Sequence, residues 1–259
     1  MTLRPIVCGL LLLLGAAAPA LAVPTGTMPS CKATPAVWGG FPSLPRVAGV
    51  LASPAPLTVV ALGSSSTYGV GASAPDRTYP AQLQQILGAE LAGRVVSVVN
   101  RGIGGETVAD NLARIDRDVL ALRPDLVIWQ VGTNDALRAV PAERLRADLV
   151  EGITRLRAAG TDVVLLDPQP VPDPAKEAAI ERVRAVLLDV AHATKVVLLP
   201  RHELMMAWLA SGEFTPKTLL GPDGLHMTDA SYRCLALRIA DLFAQPSRIG
   251  TVQRTAQTP

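Results

Sequence analysis

The sequence predicts an α/β domain built on a doubly wound parallel sheet of about five strands. Three observations predict it. Five apolar runs, Leu57–Leu62, Val95–Val99, Leu126–Val131, Val163–Leu166 and Val196–Leu199, are short and continuous rather than alternating, as strands buried on both faces are. Helix-length segments separate them, and strand–helix alternation of this kind implies right-handed crossovers. The polar, glycine-bearing motifs of the chain follow these runs, where ligands bind in such folds.

Taken in order, the chain opens with the marks of a secretory signal over residues 1–22. Arg4 supplies the basic start, Leu10 to Leu14 the apolar centre, and Ala20-Leu21-Ala22 a small-x-small cleavage site that would leave Val23 as the new N-terminus. No later segment is long and apolar enough to span a membrane. Residues 23–56 are rich in Pro, Gly and small residues without a clear period, and read as an extended arm. The domain proper covers 57–245. Its expected helices lie around Tyr79–Leu91, Val108–Leu122, Ala142–Ala158, Ala175–Ala193, Glu203–Leu209 and Asp229–Phe243. Thr107 with Asp110 has the spacing of a capping box, Gly160 that of a helix stop, and Thr228 that of an N-cap. Residues 246–259 lose the helical pattern and read as a flexible tail.

Composition narrows the function. The 259 residues are 49% hydrophobic and 18% charged, enough for one well-cored domain. A net charge of +2 without long runs of one sign does not suggest a nucleic-acid partner, and 3% aromatic residues make no stacking platform. Removal of the signal leaves Cys31 and Cys234, which an oxidising compartment permits to bond; two free thiols are the alternative.

The chemistry lies in four motifs. Gly63-Ser64-Ser65-Ser66-Thr67 follows the first strand and offers a serine on a strand-to-helix turn; physics alone leaves the choice among the three serines open. Asn100-Arg101-Gly102-Ile103-Gly104-Gly105 follows the second strand, where glycine brings backbone N–H groups close to a reacting group. It is not a dinucleotide fingerprint, which would require glycine at Thr107. Gly132-Thr133-Asn134-Asp135 follows the third strand and offers the Asn134 amide as a donor. Asp223-Gly224-Leu225-His226 sets an aspartate three residues before a histidine, which matches a base and its orienting carboxylate. His192 is structural on this reading. His202 is the rival base, with no acidic partner evident. Asp167-Pro168-Gln169 and Arg201-His202 follow the fourth and fifth strands, either lining the pocket or serving as plain loop residues.

These four motifs, in this order, resemble the GDSL/SGNH hydrolase family over roughly Leu57 to Phe243. The resemblance implies a three-layer, flavodoxin-like fold and a carboxylic ester hydrolase. It selects Ser65 as nucleophile, His226 as base and Asp223 as its orienter. The implied oxyanion donors are the Ser65 N–H, the Gly105 N–H and the Asn134 side chain. One departure stands out: the family often has aspartate just before the nucleophile, and this chain has Ser64. Acyl transfer through the same triad needs no metal or organic cofactor, and no Cys/His cluster or His-Glu-x-x-His helix points to zinc. The expected partner is a small-molecule or envelope ester met outside the cytoplasm. Acyl transfer to a sugar and a non-catalytic carbohydrate-binding relative are the competing readings. Neither the ester nor the oligomeric state is legible.

Overall fold

The computed structural model describes residues 29–32 and 43–244. The expected signal at 1–22, the tail at 246–259, and residues 23–28 and 33–42 of the arm lie outside the described residues. Five parallel strands, β1 (Leu57–Gly63), β2 (Val96–Gly102), β3 (Leu126–Gln130), β4 (Asp162–Leu166) and β5 (Val197–Leu199), form one sheet in the order β2-β1-β3-β4-β5. The connecting helices are α1 (Pro45–Leu51), α2 (Ser65–Tyr68), α3 (Tyr79–Glu90), α4 (Val108–Ala113), α5 (Ile115–Asp118), α6 (Thr133–Leu137), α7 (Ala142–Ala158), α8 (Pro174–Thr194), α9 (Arg201–Ala210), α10 (Pro216–Leu219) and α11 (Asp229–Ala244). Among the described residues no helix is long and apolar enough to cross a membrane.

The strands are apolar on both faces because both faces are covered. Leu57, Val59 and Ala61 of β1 pack on one side with Val47, Leu83, Trp208 and Leu235, from α1, α3, α9 and α11. Val60 and Leu62 pack on the other with Leu112, Ile115, Leu149 and Leu187, from α4, α5, α7 and α8. Strand order reverses direction at β1, between β2 and β3, which opens a crevice at the carboxyl ends of these strands.

Two local readings change. The segment read as part of an extended arm carries α1: Pro45 occupies the first turn, where its missing N–H costs nothing, and Val47 and Val50 are buried. The single helix expected over Val108–Leu122 is instead α4, α5 and a 3₁₀ turn at Leu120–Leu122. It breaks at Arg114, whose side chain turns inward to donate to the carbonyls of Gly63 (3.3 Å) and Arg101 (2.8 Å). The capping box of Thr107 and Asp110 is present at the start of α4. A disulfide joins Cys31 to Cys234 of α11 across a sequence separation of 203.

Candidate active site

The carboxyl ends of β1, β2 and β3 bring three of the motifs to one edge, and the loop before α11 brings the fourth. β1 ends at Gly63, where an added Cβ would lie 2.5 Å from Thr67 Oγ1 and 2.8 Å from Gln130 Oε1, so only glycine lets the turn close. Ser65 then opens α2. Its Oγ lies 2.8 Å from His226 Nε2, and His226 Nδ1 lies 2.6 Å from Asp223 Oδ2. The other Asp223 oxygen accepts the backbone N–H groups of Leu225 (2.9 Å) and His226 (3.0 Å). Burial pushes the Asp223 carboxyl up, but the His226 side chain and these N–H groups outweigh it and hold the group down at about 2. Ser64 and Ser66 are buried, and the hydrogen bond to His226 is made by Ser65 and by neither of them.

The departure at Ser64 has a partner. Ser64 N–H (2.9 Å) and Ser64 Oγ (3.0 Å) both donate to Gln130 Oε1, and Thr67 Oγ1 donates to the same oxygen at 3.3 Å. One buried amide at the end of β3 therefore braces the turn that carries Ser65.

The glycine and asparagine motifs are tied to each other through Glu106. Gly105 adopts φ +81°, a left-handed conformation that glycine takes without strain. The next carbonyl, of Glu106, accepts from Asn134 Nδ2 at 2.8 Å. An amide nitrogen carries two hydrogens, so one N–H of Asn134 is left for a ligand. The Glu106 carboxylate meets Arg114 at 2.6 Å and accepts from Asn111 Nδ2 at 2.6 Å; Asn111 in turn accepts from Trp129 Nε1 at 2.9 Å. Arg138 Nη2 donates to Gly105 O at 2.8 Å, at the exposed rim. Asn100 Nδ2 donates to Thr67 O at 2.8 Å, holding the second motif against α2. A groove of about 560 Å³ beside α2 is lined by Tyr68, Gly69, Val98 and Asn100. Another concavity, of about 600 Å³, lies at the opposite edge of the sheet, by Arg46, Asp162 and Lys195, away from this chemistry.

Asp167, Gln169, Arg201 and His202 are all buried, so none lines an open pocket. Asp167 accepts from Arg184 Nε (3.0 Å) and from the His202 N–H (3.1 Å), and burial pushes its carboxyl up to about 6. His202 does have an acidic partner: its Nε2 lies 2.5 Å from Glu177 Oε1, with Glu181 at 3.5 Å. Glu177, Glu181 and His202 have the donor types and the closeness, within 4.8 Å of one another, to hold a metal ion. Three of the four carboxylate oxygens already have partners: Glu177 Oε1 meets His202, Glu177 Oε2 accepts from the Val171 N–H and Glu181 Oε1 from Arg184. His202 faces this cluster while His226 faces Ser65, which separates the two candidate bases. His192 is exposed on α8.

Sequence reasoning missed Gln130, Glu106, Arg114 and Glu177. Gln130 left a trace, the one polar residue closing an otherwise apolar strand. Arg114 left another, a charge among core-facing apolar residues of a helix.

Comparison with known proteins adds to this geometry. Residues 30–248 match the model of the non-GDSL lipase-like family. The esterase TesA of Pseudomonas aeruginosa is 30% identical over 65% of this chain and 79% of its own length. An arylesterase of Vibrio mimicus is 34% identical over 29% of this chain, and the match spans only 37% of that relative's length. A crystal structure of the lipase/acylhydrolase from Enterococcus faecalis superposes with a TM-score of 0.64 at 23% identity, covering 73% of this chain and 96% of that one, which is a likeness of fold.

Proposed function

The chain belongs to the non-GDSL lipase-like family, among the GDSL/SGNH hydrolases, and from that premise we propose that it is a secreted serine esterase acting through Ser65, His226 and Asp223. The observation that carries the reading is the continuous line of contacts from Ser65 Oγ through His226 to Asp223, at 2.8 Å and 2.6 Å. Relatives named esterase and arylesterase support a carboxylic ester as substrate. The N-terminal signal pattern and the Cys31–Cys234 bond support export.

In the proposed cycle, His226 Nε2 takes the Ser65 proton as Oγ attacks the ester carbonyl. Asp223 orients the imidazole through Nδ1 and balances the imidazolium charge. The N–H groups of Ser65 and Gly105 and the free N–H of Asn134 receive the oxyanion. His226 then gives its proton to the leaving alcohol, and an acyl group remains on Ser65. Water, deprotonated by His226, attacks that acyl carbonyl; the acid leaves and Ser65 regains its proton.

The test is Ser65→Ala on a short 4-nitrophenyl ester. The expected outcome is a loss of about 10³-fold or more in kcat, with no labelling by a fluorophosphonate probe. A variant that kept the wild-type rate would sink the assignment. Adding an acceptor alcohol to the wild-type assay then reads hydrolysis against transfer from the product ratio.

A further inference from the structure

The loop after β4 reads Asp167-Pro168-Gln169-Pro170-Val171-Pro172-Asp173. Three prolines fix φ along it and remove three N–H groups that would need partners. Both ends are pinned. Arg201 Nε donates to the Asp167 carbonyl at 2.8 Å, Arg184 holds the Asp167 carboxylate, and the Val171 N–H donates to Glu177 at 2.8 Å. Gln169 projects from this stiff platform and is only 1% exposed.

Its two amide atoms reach two different motifs. Gln169 Nε2 donates to the Leu225 carbonyl at 2.8 Å, and Gln169 Oε1 accepts from Thr133 Oγ1 at 3.3 Å. Leu225 lies between Asp223 and His226, and Thr133 immediately precedes Asn134. The Leu225 carbonyl also belongs to the same peptide unit as the His226 N–H, which donates to Asp223 Oδ1 at 3.0 Å. That peptide plane is therefore gripped at both ends, and its tilt sets the direction in which the His226 side chain leaves the backbone. The bond from Thr133 fixes which way the Gln169 amide faces, so the donor points at Leu225.

We propose that Gln169 is a positioning residue of this site, holding the base loop at a fixed distance from the Thr133–Asn134 turn. The inference rests on the reading of Ser65 and His226 as nucleophile and base. Gln169 touches neither substrate nor reacting atoms; it acts through the Leu225–His226 peptide. The chemistry requires a neutral side chain with a donor and an acceptor on one planar group, which glutamine supplies at any pH and glutamate only when protonated.

The experiment compares wild type with Gln169→Glu and Gln169→Met in the full chain. Assayed from about pH 6 to about pH 9, glutamate keeps the acceptor for Thr133 and loses the donor to Leu225 once ionised at the upper end; methionine loses both at every pH. Two readouts are taken: kcat and KM on a short 4-nitrophenyl ester, and amide hydrogen exchange by mass spectrometry over 221–228. Expected in both variants at the upper pH is a fall of about tenfold or more in kcat with KM within about twofold. Faster exchange should be confined to 221–228, with the β1 and β3 segments retaining wild-type protection. At the upper pH Glu should match Met, because the lost donor is what matters, and at the lower pH a protonated Glu should recover toward wild type. Wild-type kcat and wild-type exchange at the upper pH in either folded variant would overturn the proposal. If one variant loses protection throughout, the other is decisive on the same readouts; loss throughout in both overturns it in favour of a purely structural role. A wild type without esterase activity, whose variants still loosen 221–228 alone, would remove the ester reading and leave the clasp standing.

Discussion

Around the proposed oxyanion donors the supporting side chains are buried and ionic: Arg114 is 6% exposed and Glu106 15%. Around the proposed base they are not: Asp223 is 49% exposed, and its loop is held by its own backbone N–H groups and the Gln169 clasp. The two halves of one site thus rely on different physics. The donor half depends on a desolvated ion pair tied to three strand ends, so a change there costs stability as well as rate. The base half depends on loop geometry, so a change there costs rate with little loss of fold. A histidine that must accept and return a proton gains from partial solvent access, whereas donors that stabilise developing charge gain from being preorganised and dry.

The comparison breaks most visibly at Arg114. Arg114→Met leaves the Glu106 carboxylate without its cation and takes one donor each from the Gly63 and Arg101 carbonyls; unfolding in urea should show a loss of about 3–5 kcal/mol. A loss below about 1 kcal/mol would mean that the donor half is not held by this pair. Asn134→Ala sharpens the comparison from the chemical side. It removes a donor while Gly105 and Ser65 remain, and should lower kcat by about 10²–10³-fold with KM little changed, as read from steady-state kinetics on a short ester.

The smallest effect is expected at Asp167, at the start of the loop that carries Gln169. Burial raises this carboxyl to about 6, so the folded state holds its proton more tightly than the unfolded chain. Its stabilising contribution is present in full below the ordinary aspartate range near pH 4 and is lost as pH rises through about 6. Asp167→Asn removes that loss. Between pH 4 and pH 7.5 the variant should gain on wild type by roughly 2–3 kcal/mol in unfolding free energy, measured by denaturant titration at both pH values. A difference independent of pH would place the Asp167 proton outside the folding equilibrium.

The sheet was legible in the sequence because strands covered on both faces leave unbroken apolar runs, and a run needs no partner to be seen. The motif residues were legible for a similar reason: Asp223 and His226 are three apart, and each of the other motifs is one contiguous turn. The braces were not. Gln130 acts on Ser64 across 66 residues and Gln169 on Leu225 across 56, and a polar residue carries no local sign of a partner at that distance. Arg114 misled the helix reading for the same reason. Its long-range bonds to Gly63 and Arg101 outweigh the local preference for one continuous helix. The partner of His202 is likewise hidden from the sequence because Glu177 lies 25 positions away on α8.

The bond between Cys31 and Cys234 closes a ring around a separation of 203 residues, and Ser65, Gly105, Asn134, Gln169, Asp223 and His226 all lie inside it. By chain entropy alone, a loop of that length disfavours the unfolded state by about 5 kcal/mol. The ring also bears on survival among proteases. A single cut at any exposed loop between the two cysteines converts the ring into one covalent molecule with two new ends. The proposed nucleophile and base then cannot diffuse apart, and reassembly after a nick is an intramolecular event.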